Sequence, residues 1–352
     1  MYRSCLSVVA FLTFYGQLAA QNESHEYHIV QGPGVVDSYP TFTCARTVNN
    51  YRGAAVGHVT SIDGNELTIP HISTAYHLGL GPLSYDLYNE CSNIMPMDSS
   101  EVDINQVPVL TIDTDGDLIE GYVVADNYYE LYVNGHLVSV DNTPFTPFNS
   151  SLLRFRVKRP YTLAVLVIDW DEHLGLGMEL FPQGPESDRL SSGNLWHTGD
   201  AGLMIKLSDG TRTDASWKVE TFVIAPLDDP HEMDLPSGDR DTSHRGRSGR
   251  DFIKPRCASE ASQEEGELRL YPRMASIDSE CYAVYYRVPE GWMYPSFDDA
   301  HWPNASIYTD IEVGTTNLPA YNRYPELFDD ANWIWSKHLV LDNLVIARKN
   351  IR

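Results

Sequence analysis

The sequence predicts an all-β protein, in which a β-sandwich follows a small β-rich module closed by a disulfide. Three observations indicate this fold. Alternating polar and apolar runs fill residues 107–225, and none of them sustains a helical period. Asn134-Gly135 separates two such runs, and this pair best tolerates the positive φ angles of a type I′ hairpin turn. Four cysteines remain after a predicted signal peptide, the even number expected of two disulfides.

Residues 1–20 are typical of a secretory signal peptide. Arg3 supplies the basic start, residues 6–15 form the apolar core, and small residues precede Gln21 as a cleavage site. No apolar run in the chain approaches the roughly 20 residues that a membrane-spanning helix requires. We therefore expect a secreted, extracellular protein that does not span a membrane.

Residues 21–106 are predicted to form the small N-terminal module. Its short alternating runs are separated by turn residues, and Asp63-Gly64 suits a hairpin turn. In an oxidising compartment the four remaining cysteines allow three disulfide connectivities. Sequential pairing is favoured because each bridge then stays within one predicted module, and free buried thiols are the alternative. The predicted pairs are Cys44 with Cys91 and Cys257 with Cys281.

Residues 107–227 are predicted to form the first part of the β-sandwich. The two runs around Asn134-Gly135 form its central hairpin. Residues 161–170 form a long apolar run, as expected of a central strand that is buried on both faces. The next part of the sandwich is predicted to begin only at residue 257.

Three aspartates, Asp113, Asp115 and Asp117, resemble the start of a calcium-binding loop. They depart from the EF-hand pattern, because the glycine comes too early and position twelve is Val124 instead of glutamate. A turn at Asp115-Gly116 explains the same residues. Calcium therefore stays an alternative at these aspartates, and no other cofactor is expected.

Residues 228–256 interrupt the strand pattern with proline, glycine, serine and charged residues, which predicts a flexible basic loop. Within it, Arg245, Arg247 and Arg250 form an R-x-R-x-x-R arrangement. Secretory convertases bind such extended basic peptides in acidic pockets, so Arg247 and Arg250 are candidate processing residues. Solvated loop charge is the alternative. Residues 257–352 are expected to supply the remainder of the sandwich.

The net charge of −24 argues against a nucleic-acid partner, because phosphate binding requires an excess of lysine and arginine. Such a charge suits a soluble extracellular protein or one that meets divalent cations or a mineral face. Three sequons add candidate N-glycosylation sites at Asn22, Asn149 and Asn304.

Five features of the sequence carry a resemblance: the motifs ELYVNG, TDASWK, W-x4-F-D-D-x2-W-x2-A and WIW, and a terminal apolar strand that ends in Arg-Lys. They resemble the galactose-binding-like jelly rolls that occur as accessory domains of secreted glycosidases. The resemblance covers about residues 107–352 and implies a jelly-roll β-sandwich that binds sugars at its loop ends. One departure is that the F-D-D-x2-W segment follows the Asn-Gly hairpin instead of preceding it. The matching segments are residues 130–135, 213–218, 292–305 and 333–335.

Sugar binding combines aromatic faces, which stack on pyranose C–H groups, with polar groups that fix the hydroxyls. The alternative for the tryptophans is packing in the sandwich core, and for the Asp298-Asp299 pair it is capping of a turn. The candidate ligand-binding residues are Asp169, Asp171, Asp298, Asp299 and Trp302.

Catalytic motifs do not stand out. Asp169 and Asp171 alternate along a strand end and could form a carboxylate pair for glycoside hydrolysis. The chain contains no GxSxG, HExxH, phosphate-loop or dinucleotide fingerprint. We therefore expect a non-catalytic glycoprotein whose partner is carbohydrate. The alternatives are an acidic component of an extracellular matrix, including a mineralised one, and a glycoside hydrolase.

Overall fold

The protein is built from β-strands, one short α-helix and several 3-10 turns in the part that the computed structural model describes. This part comprises residues 26–32, 34–38, 52–53, 56–71, 74–146, 148–170, 175, 178–180, 196–198, 201–233 and 281–352. The predicted signal peptide and the predictions for Asn22, Cys44, Asp171, Arg247, Arg250 and Cys257 lie outside these residues.

The strands follow one another along the whole described chain. The helix α1 spans Pro319–Asn322, and 3-10 turns span Ser99–Glu101, Ile104–Gln106, Pro230–Met233, Thr315–Asn317 and Pro325–Leu327. The strands are β1 (Tyr27–Gln31), β2 (Val35–Ser38), β3 (Arg52–Gly53), β4 (Val56–Thr60), β5 (Glu66–Ile69), β6 (Tyr85–Asn89), β7 (Leu110–Thr111), β8 (Asp117–Asp126), β9 (Tyr128–Val133), β10 (His136–Val140), β11 (Phe145–Thr146), β12 (Asn149–Val157), β13 (Tyr161–Ile168), β14 (Met178–Leu180), β15 (Trp196–Thr198), β16 (Gly202–Leu207), β17 (Lys218–Leu227), β18 (Tyr282–Tyr286), β19 (Ser306–Tyr308), β20 (Trp333–Trp335) and β21 (Asp342–Ile351).

Two large sheets form a β-sandwich, which confirms the predicted all-β class. Sheet A has the strand order β1-β18-β17-β21-β13-β9-β10. Sheet B has the order β19-β20-β16-β8-β12-β6, with β7 parallel to β12 beside it. All other pairings within these two sheets are antiparallel.

Strand β13 lies near the centre of the molecule and is buried on both faces, as its apolar sequence predicts. Side chains alternate between the two faces of a strand. Leu163, Val165 and Val167 point into the core between the two sheets, whereas Leu166 and Ile168 point into a second core on the outer face of sheet A. All eight residues of β13 are buried. Sheet A is therefore covered on both sides.

The N-terminal section covers much of the outer face of sheet A. Val30, Val59 and Ile69 belong to the second core. The buried Glu130 carboxylate of β9 fixes this section, because its Oε1 accepts a hydrogen bond from the backbone N–H of Ala75 at 2.6 Å. A buried carboxylate is tolerated when its oxygens are hydrogen-bonded in this way.

Two strands that precede the predicted boundary at residue 106 pair with strands that follow it. Strand β1 pairs with β18 at one edge of sheet A, and β6 pairs with β12 at one edge of sheet B. Each pairing satisfies N–H and C=O groups that an open sheet edge would expose. Strands β2, β4 and β5 form a separate small sheet, in which β4 and β5 confirm the predicted hairpin around Asp63-Gly64. Two further pairs of short strands, β3 with β11 and β14 with β15, also lie outside sheets A and B.

The Asn134-Gly135 hairpin forms as predicted between β9 and β10. Asn134 has φ 50° and Gly135 has φ 83°, the two positive angles of a type I′ turn. His136 pairs with Val133 directly across the turn. Among the described residues, no helix is long and apolar enough to cross a membrane.

Candidate functional site

The candidate binding surface lies at the end of the sandwich where the Asn134-Gly135 turn projects, here named the hairpin end. The backbone N–H of Thr162, at the start of β13, donates to Asn134 Oδ1 at 2.9 Å. The hydroxyl of Thr162 donates to Asn350 Oδ1 at 2.7 Å, which reaches the end of β21. These two bonds join the turn, β13 and β21 into one fixed edge.

The loop of residues 291–302, here named the aromatic loop, packs on sheet A beside this turn. Its anchor is Arg348 of β21, which is fully buried. Arg348 Nε donates to Asp299 Oδ2 at 2.7 Å, and its two terminal nitrogens donate to the backbone oxygens of Trp292 and Tyr294. The guanidinium also lies 5.0 Å from the ring centroid of Phe297. One side chain therefore holds the loop at four places.

Tyr294 is the exposed aromatic residue of this loop, with 51% of its surface accessible. Its ring lies against the hairpin turn. A Cβ atom on Gly135 would come within 2.3 Å of Tyr294 Cδ1, so only glycine leaves room for the ring. The Tyr294 backbone is fixed as well, because its N–H donates to Gly291 O at 2.9 Å and its oxygen accepts from Arg348. The half-exposed ring, here named the Tyr294 platform, therefore rests on a backbone that two hydrogen bonds hold in place.

Asp298 is the one predicted ligand-binding residue that lies on the surface of the aromatic loop. Its Oδ1 accepts a hydrogen bond from the backbone N–H of Ala300 at 3.0 Å. This is the turn cap that the sequence offers as the alternative for Asp298. The same exposed carboxylate remains four residues from Tyr294 and available to a ligand.

Two other predicted ligand-binding residues, Asp299 and Trp302, are buried within the aromatic loop. Asp299 is 9% exposed, and its carboxylate is the partner of the buried Arg348. Trp302 is 4% exposed and packs edge-on against Phe222 and Phe297, with ring centroids 6.0 and 5.3 Å apart. Both residues hold the aromatic loop on the sheet, and their burial removes them from the binding surface.

Asp169 lies at the opposite end of the sandwich from the Asn-Gly turn. It follows the last residue of β13, it is 3% exposed, and its N–H donates to Asn343 O at 2.8 Å. A ligand at the hairpin end would not reach Asp169, and Asp171 lies outside the described residues.

Two of the three aspartates predicted as an alternative calcium loop, Asp113 and Asp115, contact Lys158. Asp113 Oδ2 accepts from the backbone N–H of Lys158 at 2.9 Å, and Asp115 Oδ2 lies 2.6 Å from Lys158 Nζ. Asp117 is exposed and begins β8. Within the described ranges, no group of three or more His, Cys, Asp or Glu side chains could hold a metal ion.

Cys91 and Cys281 are both buried, and each is disulfide-bonded. Their predicted partners, Cys44 and Cys257, lie outside the described residues. The sequential connectivity therefore stays a prediction.

Asn149, one of the predicted glycan acceptors, is buried in this fold. It is 4% exposed, and its Nδ2 donates to Asp141 Oδ1 at 3.0 Å and to Asn142 Oδ1 at 3.1 Å. A glycan is bulky and is attached through this nitrogen, so it requires an exposed asparagine. Asn304 meets that requirement, because it is exposed in the chain just before β19.

We expect Asn304 to carry a glycan and Asn149 to carry none when the chain passes through a eukaryotic secretory pathway. Asn304→Gln should lower the mass of the secreted protein by one N-glycan, because it removes an exposed acceptor. Asn149→Gln should leave the glycan mass unchanged. Intact mass and glycopeptide analysis of both variants check this expectation, and a glycan on the Asn149 peptide of folded protein would contradict it.

The sequence gives little warning of the residues that build this surface. Tyr294 is one of 21 tyrosines, and Arg348 follows the apolar run of residues 344–347 and precedes a second basic residue, Lys349. The available signal is the Tyr294-Pro295-Ser296 triplet, since proline and serine mark an exposed turn. The aromatic residue predicted from the sequence as a ligand contact is Trp302, which is larger than Tyr294.

Comparison with known proteins identifies no relative: the chain matches no protein-family model, no curated protein and no solved structure. The β-sandwich is observed directly, whereas the likeness to galactose-binding-like jelly rolls rests on the sequence segments.

Proposed function

We propose that the protein is a secreted, non-catalytic glycoprotein that binds carbohydrate at the hairpin end of its β-sandwich. The observation that carries this proposal is the half-exposed Tyr294 ring, which lies against Gly135 of the hairpin turn. A tyrosine ring offers an apolar face to sugar C–H groups and a hydroxyl for hydrogen bonding.

Rigidity of the platform supports binding. Aromatic side chains supply contact area at a low cost in conformational entropy, and a ring already held in place loses still less freedom on binding. Exposed polar side chains border Tyr294 along the chain and across the turn, and they can fix sugar hydroxyls. These side chains are Asp298, which lies in the same loop, and His136, which directly follows Gly135.

A second proposal is an acidic structural role in an extracellular matrix. No lysine or arginine occurs between Arg52 and Arg154, whereas this stretch contains 14 aspartates and glutamates. Several of these carboxylates are exposed on the short 3-10 turns and on the loop before β8, among them Asp98, Glu101 and Asp103. An extended face of one sign attracts cations and a mineral surface.

Tyr294→Ala is expected to weaken glycan binding at least tenfold, which is about 1.4 kcal/mol of binding free energy. The secreted protein is first screened on a glycan array, and variants are then titrated with the strongest ligand. Tyr85→Ala is the matched control, because Tyr85 is 43% exposed but belongs to the edge strand β6 of sheet B. Its affinity should equal that of the wild type.

Other outcomes would overturn the carbohydrate-binding proposal. An array with no sugar-competed signal, combined with retention on calcium carbonate, would favour the matrix role. Release of reducing sugar from a bound glycan would show that the protein is an enzyme.

A further inference from the structure

An open groove lies beside the hairpin end, at the ends of β13 and β21. Its volume is about 350 Å³. It is here named the basic groove, because four of its ten lining residues are lysine or arginine. The lining residues are Arg159, Asp209, Gly210, Thr211, Arg212, Asp214, Lys349, Asn350, Ile351 and Arg352.

The charge of this groove is opposite to that of the chain. Four basic and two acidic side chains line it, a formal difference of +2, whereas the whole chain carries −24. The basic residues come from three separate parts of the sequence, and the fold brings them together. A local positive site in a negative protein favours an anionic ligand there and disfavours indiscriminate binding of polyanions elsewhere.

One arginine of the groove is held in place by the protein. Arg159 donates to Asp209 Oδ2 at 2.6 Å, and the same oxygen accepts the Tyr161 hydroxyl at 2.7 Å. The other Asp209 oxygen accepts the Thr211 N–H at 3.0 Å. Asp209 is therefore occupied by protein donors and orients Arg159.

The ion pairs of Arg212 and Lys349 are longer, although Lys349 Nζ also donates a hydrogen bond to Ser216 Oγ. Arg212 Nε lies 3.3 Å from Asp330 Oδ2, and both side chains are more than 40% exposed. Lys349 Nζ lies 3.9 Å from Asp214 Oδ1. Exposed ion pairs of this kind contribute little to stability, so a ligand anion can replace the carboxylate partner at small cost.

The basic groove and the Tyr294 platform lie on one continuous edge of the molecule. Asn350 lines the groove and accepts the Thr162 hydroxyl, and Thr162 in turn binds Asn134 of the turn. Strand β21 and strand β9 are two positions apart in sheet A. Neighbouring strands are about 4.8 Å apart, so the groove lies about 10 Å from the turn on which Tyr294 rests.

We propose that the carbohydrate bound at this end is anionic, and that the basic groove holds its carboxylate or sulfate group while a neighbouring ring stacks on Tyr294. This inference rests on the proposed function. Guanidinium groups match carboxylate and sulfate oxygens through paired, charge-assisted hydrogen bonds, which lysine and neutral donors cannot reproduce. The groove thereby selects anionic glycans over their neutral counterparts.

The test uses an array of matched glycans in neutral, uronate-containing and sulfated forms. We expect the protein to bind one anionic form at least tenfold more tightly than its carboxyl-reduced or desulfated counterpart, with affinity falling as ionic strength rises from about 50 to about 300 mM. The uronate and sulfate arms identify the anionic group.

The double variant Arg212→Gln/Arg352→Gln should lose at least about tenfold in affinity for that anionic glycan, because it removes two cations from the groove. Arg287→Gln is the matched control, since Arg287 is 64% exposed, directly follows β18 near the far edge of sheet A, and pairs with Glu26 at 3.3 Å. It should bind like the wild type. Thermal unfolding of both variants confirms that they fold.

Different results would contradict the anionic specificity of the groove and the carbohydrate binding on which it rests. Equal binding of neutral and anionic glycans, with no effect of the double variant, would overturn the anionic specificity and leave carbohydrate binding intact. An equal loss of glycan affinity in the double variant and in Arg287→Gln would also overturn the anionic specificity of the groove. The electrostatic attraction would then be spread over the whole protein surface. No binding to any glycan would overturn the proposed function itself.

Discussion

Asp299→Ala is expected to lower the free energy of unfolding by about 3–5 kcal/mol, because it leaves the buried Arg348 guanidinium without its anionic partner. Arg348 is fully buried, and its Nε donates to Asp299 Oδ2 at 2.7 Å. The backbone oxygens of Trp292 and Tyr294 remain as acceptors, but they carry no net charge. Urea unfolding of the disulfide-intact protein measures the loss.

The neighbouring residue provides the matched control. Asp298 is exposed and caps a turn through the Ala300 N–H, so Asp298→Ala should cost about 1 kcal/mol or less. Equal costs for Asp298→Ala and Asp299→Ala would show that Asp299 is not the essential partner. The double variant Asp299→Ala/Arg348→Met should recover part of the loss, because it removes the unpaired charge as well.

The Arg348 ion pair also affects binding. Its guanidinium holds the Tyr294 backbone oxygen, so loss of Asp299 should loosen the aromatic loop and weaken glycan affinity in protein that is still folded. Asp299 is thus a positioning residue for the Tyr294 platform, although its position beside Asp298 in the sequence first indicated a ligand contact.

A pH-dependent stability is expected from Asp141, which lies between β10 and β11. Burial raises the pKa of this carboxyl from 3.8 to about 7, while hydrogen bonds from the Thr143 N–H and the Asn149 amide oppose the rise. The folded state therefore binds a proton between about pH 4 and about pH 7, where the unfolded state does not. The stabilisation from this proton is complete below about pH 4 and is lost as the pH rises through about 7, with a total on the order of 4 kcal/mol.

Asp141→Asn isolates this effect. The amide keeps an oxygen that accepts from the Thr143 N–H at 2.9 Å and from Asn149 Nδ2 at 3.0 Å, but it does not titrate. The variant and the wild type should be similarly stable at about pH 4, and the variant should be more stable at about pH 8 by several kcal/mol. Burial also raises the pKa of Asp342 to about 7. Both proteins contain Asp342, so its contribution to the pH dependence cancels when their stabilities are compared. Parallel stability profiles would contradict the account of Asp141.

The parts of the fold that local chemistry determines are the parts that the sequence predicts. The Asn134-Gly135 turn follows from the positive φ angles that these two residues tolerate. The burial of β13 follows from its unbroken apolar run. The six tryptophans whose side chains are described are all buried, as expected of residues that close a sandwich core.

The pairing of strands that are distant in the sequence is a part of the fold that the local pattern does not indicate. The pattern of residues 27–31 indicates a strand, but Tyr27 pairs with Tyr286, far along the chain. Alternation shows which face of a strand is apolar, and it does not show which strand lies beside it. The sequence pattern therefore does not indicate that β1 joins sheet A and that β6 joins sheet B.

The candidate site was predicted only in part, because a sequence shows residue types and does not show their burial. Asp298 and Asp299 are identical in type, yet one is exposed and the other is buried against Arg348. Asn149 and Asn304 each begin a sequon, yet Asn149 is buried and Asn304 is exposed. The contact between Tyr294 and Gly135 joins positions that no local pattern connects.

The central claim is that Tyr294 is the platform for a bound sugar. Its most direct test is the affinity of the wild type, Tyr294→Ala and Tyr85→Ala for the same array-selected glycan, measured by titration. The account predicts that Tyr294→Ala binds at least about tenfold more weakly than the other two proteins, while all three unfold at similar temperatures. Equal affinities for that glycan in all three proteins would contradict it.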